Sequence, residues 1–179
     1  MKIIRNALKS ELNLRTEMDF PTKGIEFVDI NPLILNHDSL HEIIDIFVEY
    51  LKDSKIDYIV APEARGFLFG AAIAHELGCG CIPVRKKGKL PPSTVQCTFE
   101  YEKEYGKDYL QLPKLVHSRY KGKTYFIIDD IYATGNTIEA IKKAITDMGG
   151  KVLGEGAVVN ILELNNNKDV FSIIDINEG

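Results

Sequence analysis

The spacing of apolar positions changes period several times along the chain, and each change predicts an element. Ser39-Leu40-His41-Glu42 reads as a capping box, a serine with a glutamate three residues on. Leu40, Ile43, Ile44, Phe47 and Leu51 then recur at helical spacing. Tyr58 to Ala61 is a short apolar run of strand length. Phe67 to Leu77 is apolar and alanine-rich, which predicts a mostly buried helix with Gly78 as its C-terminal cap. Cys81 to Val84 is strand-like. Thr94 to Tyr101 alternates strictly, with Val95, Cys97, Phe99 and Tyr101 on one face, the pattern of a half-buried strand in a hairpin or flap. Tyr125 to Ile128 is a strongly apolar strand. Ile138, Ile141, Ile145 and Met148 mark the helix after it, stopped by Gly149-Gly150. Val152 to Leu162 and Phe171 to Ile176 supply later strands, and Asn165-Asn166-Asn167-Lys168 reads as a polar turn between them.

Strands alternating with helices imply an α/β fold: an open, mostly parallel sheet with helices on both faces. With 179 residues, one domain over 1–179 is expected. Ligands in such sheets bind beyond the C-terminal ends of the strands, so the loops that follow strands are the places to look.

Composition narrows the class. The net charge of −4 argues against a dedicated nucleic-acid binder, which carries a basic excess. No apolar run approaches the roughly 20 residues of a membrane-spanning helix. Met1 to Asn6 lacks the apolar stretch of a secretory signal, so a cytoplasmic protein is expected. Cys79, Cys81 and Cys97 do not suggest a disulfide framework, and with His75 they lack the paired spacings of a zinc site. Cys79 and Cys81 are instead expected to pack where a buried strand begins.

The sharpest chemistry lies at Asp129-Asp130-Ile131-Tyr132-Ala133-Thr134-Gly135-Asn136-Thr137. An apolar strand runs into two acids, then into a small-residue turn that opens a helix. A helix N-terminus presents free N–H groups and partial positive charge, so it binds phosphate. Gly135 allows close backbone approach, and Thr134 and Thr137 can add hydroxyls. Two carboxylates before the turn would accept hydrogen bonds from vicinal hydroxyls. Phosphate on one side and diol acceptors on the other describe a site for ribose 5-phosphate. Gly122-Lys123-Thr124 ends like a P-loop, but His117 stands where the first glycine is required, and the segment precedes a strand.

Asp129 to Thr137 resembles the motif that binds phosphoribosyl pyrophosphate (PRPP) in type I phosphoribosyltransferases. Asp19-Phe20-Pro21 through Asn31-Pro32-Leu33, Pro62 through Gly70, and Val84 through Pro91 with Tyr101 through Gly106 narrow the resemblance to the adenine phosphoribosyltransferase family. That resemblance implies the type I fold, with residues from about 86 to 108 as a mobile flap or hairpin over the site. It implies that Glu63, Ala64 and Arg65 form the pyrophosphate loop, with Arg85, Lys86 and Lys89 adding positive charge toward the leaving group. Ala133, Thr134, Gly135, Asn136 and Thr137 would hold the 5-phosphate, and Asp129 and Asp130 the ribose hydroxyls. Glu104 would exchange a proton with the purine N7, acting with Arg65 and Lys86 as the catalytic groups. The base would lie along Glu26, Phe27 and Val28, with Ile131 on its other side. The resemblance further implies PRPP and a purine base as partners, Mg2+ bound through PRPP rather than by direct protein ligands, and a homodimer.

Glu26 and Val28 depart from the family pattern, which has an apolar residue and an arginine at those places. They motivate a second reading, a phosphoribosyltransferase for a 6-oxopurine (hypoxanthine, guanine or xanthine). A third is a regulator that binds PRPP or nucleotide without turnover.

Overall fold

The computed structural model describes residues 14–20, 23–24, 26–103, 106–116, 118–165, 167 and 169–176. Strands β1 (Arg15–Met18) and β2 (Glu26–Asp29) pair antiparallel as a separate two-stranded sheet. The main sheet has seven strands: β3 (Tyr58–Pro62), β4 (Gly80–Lys86), β5 (Val95–Lys103), β6 (Gly106–Pro113), β7 (Thr124–Tyr132), β8 (Lys151–Ile161) and β9 (Phe171–Ile176). Their order is β5-β6-β4-β3-β7-β8-β9. The pairs from β4 to β9 are parallel, and the β5–β6 hairpin joins β4 antiparallel. The helices are α1 (Asn31–Leu35), α2 (His37–Leu51), α3 (Gly66–Leu77) and α4 (Asn136–Asp147).

The apolar pattern sorts these helices to two faces, as expected. Ile43, Phe47 and Leu51 of α2, with Phe69 and Ile73 of α3, pack with Ile59, Phe126 and Ile128 in one cluster. Ile138, Ile141 and Ile145 of α4 pack with Val60, Tyr125 and Ile127 in another. Successive residues of β7 thus serve opposite faces, which is why its run reads as continuously apolar. Complete burial of side chains of this size contributes about 1.5–3 kcal/mol each.

Two local expectations change. The α2 cap is Asn36, whose side chain accepts from the Ser39 N–H at 2.9 Å and from the Ser39 hydroxyl at 3.1 Å, so the helix begins two residues before Ser39. An asparagine oxygen caps as well as a serine oxygen, and being placed earlier it takes the role. Cys79 is half-buried but Cys81 is exposed, because β4 turns that residue away from its packed face. The expected hairpin strand forms from Val95, Thr94 closing the turn before it, with Val95, Cys97 and Phe99 partly covered and Tyr101 buried. Its partner β6 was not legible in the pattern.

β3 and β7 are neighbours, yet the chain leaves β3 through α3 toward β4 and leaves β7 through α4 toward β8. The connections diverge there, which makes the ends of β3 and β7 the topological switch point where α/β sheets bind ligands. Among the described residues no helix is long and apolar enough to cross a membrane.

Candidate active site

Two loops meet at that switch point: residues 63–65 after β3 and 133–135 after β7. The N-terminus of α3 closes on the end of β7. A Cβ on Gly66 would stand 3.0 Å from Asp129 Oδ1 and 3.3 Å from the Ile128 carbonyl oxygen, so a side chain here would press the Asp129 carboxyl back by a few tenths of an ångström. A carboxylate at a helix N-terminus is favourably placed. Even so, Asp129 is pushed well above the ordinary carboxyl range, first by desolvation and then by the charge of Asp130, while Arg65 opposes the shift. Asp129 Oδ1 accepts one bond, from the Asp130 N–H at 2.9 Å.

Asp130 is buried, with its side chain 8% exposed. Arg65 Nε lies 2.7 Å from Asp130 Oδ2, close enough for a charge pair. The N–H is not directed along that line, however, and Asp130 Oδ2 is the one buried side-chain polar atom among the described residues without a hydrogen bond. A hydrogen bond needs direction as well as distance. Buried polar atoms are nearly always satisfied, and the exceptions call for an explanation. Here the unsatisfied oxygen sits at the switch point, beside a second carboxyl that is held against its charged form.

Arg65 reaches across the site. Its guanidinium carbon lies 5.6 Å from the centre of the Phe27 ring, and Phe20 meets Phe27 edge-on at 5.0 Å. The small β1–β2 sheet therefore brings Phe27 to the loop after β3, where Arg65 links it to Asp130. Val28 is 5% exposed and its side chain belongs to the core, so only its backbone is available to a ligand. Glu26 is half-buried, and Ile131 packs partly against the core.

The expected phosphate groups are not all equally available. Glu63 accepts from Arg85 Nε and from the Lys86 N–H, each at 3.0 Å. These bonds hold Glu63 below the ordinary carboxylate range, the Lys86 N–H contributing most. Arg85 also lies over the Phe67 ring at 5.8 Å. Glu63 and Arg85 thus fasten the loop after β3 to β4. The Glu63–Ala64 peptide is cis. Lys86 and Lys89 have exposed side chains, and their turn is tied to the hairpin where the Gly88 N–H donates to Gln111 Oε1 at 3.1 Å. Glu104 lies outside the described residues.

The loop after β7 is constrained by backbone geometry. Gly135 has φ of +82° and is the N-cap of α4, with no side chain capping the helix start. A Cβ on Gly135 would stand 2.3 Å from the Tyr132 hydroxyl, so the loop lies directly on that ring. Thr134 and Asn136 are exposed and Thr137 is half-buried. The uncapped N–H groups suit an anion. Residues that sequence reasoning missed lie behind this loop. Asn165 donates to the Ala133 carbonyl at 2.9 Å and Asn167 to the Tyr132 hydroxyl at 3.1 Å. Their one sequence signal was position: they follow β8, at the same end of the sheet as the loop after β7.

Comparison with known proteins agrees with this geometry. Residues 34–177 match the family model described as the phosphoribosyl transferase domain. An adenine phosphoribosyltransferase of Clostridium acetobutylicum is 46% identical over 153 residues, 86% of this chain and 87% of that protein. The crystal structure of adenine phosphoribosyltransferase from Thermoanaerobacter pseudethanolicus superposes with a TM-score of 0.85 at 38% identity, covering 96% of this chain and 99% of that one. The Saccharomyces cerevisiae enzyme, solved with an imino-altritol bisphosphate and adenine, gives a TM-score of 0.81 at 35% identity over 97% of this chain and 99% of that one. With the paired acids, the uncapped α4 and the Arg65 loop gathered at one switch point, the chain belongs to the adenine phosphoribosyltransferases, within the phosphoribosyl transferase family.

Proposed function

We propose that this site transfers the 5-phosphoribosyl group of PRPP to adenine, giving AMP and pyrophosphate, a step of purine salvage. The observation that carries the reading is Asp130 Oδ2, a buried carboxylate oxygen without a hydrogen bond where the β3 and β7 loops meet. A ribose diol supplies the donors that such an oxygen accepts. Each hydrogen bond to a charged group contributes about 1.5–3 kcal/mol. Asp129, held toward its neutral form, can donate as well as accept.

The 5-phosphate sits on the α4 N-terminus and the 133–137 loop. Adenine stacks against Phe27, with backbone groups of β2 reading its edge and Ile131 opposite. The bond between ribosyl C1 and the pyrophosphate oxygen breaks, and its electron pair leaves with pyrophosphate. Arg65, Lys86 and Lys89 face that developing charge. The purine N9 forms the new bond to C1 and the base loses a proton, which Glu104 exchanges at N7. Mg2+ would arrive bound to the PRPP phosphates, and Asp129 and Asp130 would act on it indirectly, by holding the ribose hydroxyls beside it. When bound, the metal would supply positive charge to offset that of the leaving pyrophosphate. The hairpin that includes residues 95–103 and 106–113 acts as the flap that excludes water from the ribosyl centre. The enzyme acts in the cytoplasm as a homodimer.

The test is turnover of adenine, hypoxanthine, guanine and xanthine with PRPP and Mg2+. Adenine should have the highest kcat/KM. A higher value for any 6-oxopurine would overturn the adenine assignment and point to Glu26 or Val28. No turnover of any base, with PRPP still bound, would favour a regulator.

A further inference from the structure

Beneath the loop after β7 lies a polar assembly that the proposed reaction does not use. Asn165 stands in the segment between β8 and β9, and its amide nitrogen is 2.9 Å from the Ala133 carbonyl, 3.0 Å from Asn160 Oδ1 and 2.9 Å from the Ile161 carbonyl. An amide carries only two donor hydrogens, so three acceptors saturate it and at least one hydrogen is shared. Its own oxygen accepts from the Asn167 N–H at 3.1 Å, which joins the two asparagines into one unit. Asn167 Nδ2 bridges the Tyr132 hydroxyl at 3.1 Å and Glu155 Oε1 at 3.0 Å. Glu155 is only 5% exposed and is paired with Lys142 Nζ of α4 at 3.1 Å.

This assembly touches the loop at two points. Asn165 takes up the carbonyl of its first residue. Asn167 fixes the hydroxyl of the ring on which Gly135 rests, at the distance where a Cβ would collide. Lys142 ties the same unit to the body of α4, whose N-terminus supplies the free N–H groups. A surface turn between two strands needs none of these contacts. Buried networks of satisfied polar groups instead fix one geometry, because each unmade bond is costly in a low dielectric.

We propose that Asn165 and Asn167 are positioning residues for the phosphate loop, holding Ala133 and Tyr132 from behind so that Gly135 and the start of α4 keep the geometry a 5-phosphate requires. The inference rests on reading residues 133–137 as the 5-phosphate site. Neither asparagine touches substrate, so their effect is specific to ligands that carry this phosphate.

The test compares inhibition constants for AMP and adenosine, which differ only in the 5-phosphate, in Asn165→Ala, Asn167→Ala, Tyr132→Phe and Thr137→Val. Loss of one bond behind the loop should reduce the preference for AMP over adenosine by about two- to tenfold, the usual span for one hydrogen bond. KM for PRPP should rise while KM for adenine holds. Tyr132→Phe with Asn167→Ala should lose no more preference than Asn167→Ala alone, since both remove the same link to the loop. Tyr132→Phe removes one oxygen and keeps the ring under Gly135, so it carries the test even where an asparagine variant does not fold. Unchanged preference in Tyr132→Phe and in the folded asparagine variants, with only a lowered Tm, would overturn the proposal and leave the segment a structural turn. Were Thr137→Val also without effect on the preference, the 5-phosphate reading itself would fall. A reduced preference in Thr137→Val alone would retain that reading and reject the role of the asparagines.

Discussion

In the proposed reaction, the two loops at the switch point hold phosphate groups by different means. The loop after β7 offers backbone N–H groups, a glycine at positive φ seated on Tyr132, and bracing from Asn165. The wall built from β3 and β4 offers long side chains. Arg65 is 40% exposed and meets Asp130 through a charge pair rather than a hydrogen bond, Lys86 and Lys89 reach solvent, and Arg85 is fastened by Glu63. The reaction gives a physical reason for the contrast. The 5-phosphate is present in PRPP and in AMP, so the same fixed donors serve throughout turnover. Pyrophosphate gains charge as its bond breaks and must then depart. Side chains that can follow and release it are better suited than a rigid cradle.

The largest loss is expected from Glu104 and is confined to kcat. Glu104→Gln should lower kcat by about 10²–10⁴-fold while PRPP affinity holds. Lys103→Gln, its neighbour, should change kcat far less, and equal small effects would show that the flap only excludes water. The paired acids lie between the two walls, and changing them should produce a smaller loss. Asp129→Asn with Asp130→Asn removes one charge-assisted acceptor at about 1.5–3 kcal/mol and one neutral carboxyl hydrogen bond at about 0.5–1.5 kcal/mol, which corresponds to a fall of roughly one to three powers of ten in kcat/KM. Steady-state kinetics with PRPP and adenine would measure it, and a rate near wild type would make the acids purely structural.

The smallest effect is on stability and has the opposite sign. The Asp129 carboxyl is raised in the folded protein, first by desolvation. For an acid raised in this way the folded state holds its proton longer than the unfolded chain. Its contribution to stability is therefore most favourable below the ordinary carboxyl pKa, and it is lost as pH rises toward the folded value. Asp129→Asn alone should accordingly raise Tm at neutral pH, about 2–4 °C per kcal/mol of relief for a chain of this size, and the gain should vanish in acid. A lower Tm at neutral pH would mean that the charged carboxylate is needed by the α3 N-terminus and Arg65.

Much of this was legible in the chain because it is local. The apolar run of β7, the acids that end it and the turn into α4 are adjacent in sequence, so one segment carries both fold and chemistry. Helices α2, α3 and α4 showed in their periodicity, with the α2 cap misplaced because Asn36 and Ser39 both offer a capping oxygen, whereas the five-residue α1 is too short to show a period. β6 was missed because its register is set by β5 and β4, not by its own pattern, and only Leu110, Gln111 and Leu112 are buried in it. β1 and β2 are short and gain their meaning from Phe27 meeting Arg65. The roles of Asn165 and Asn167 were hidden for the same reason. Their partners Ala133 and Tyr132 lie 32 and 35 residues away, brought close only by the β7–β8 register. Glu63 and Arg85 likewise looked like ligands in sequence and prove to be bonded to each other.

The most direct test of the contrast between the two walls is a crossed titration by calorimetry: AMP and pyrophosphate, each against Arg65→Gln and Thr137→Val. Arg65→Gln should weaken pyrophosphate about tenfold or more, as expected for a lost charged contact, and change AMP little. Thr137→Val should weaken AMP by about two- to tenfold, the span for a neutral hydrogen bond, and leave pyrophosphate unchanged. Equal weakening of both ligands by both substitutions would contradict the account, because the two loops would then not divide the substrate's phosphates between them.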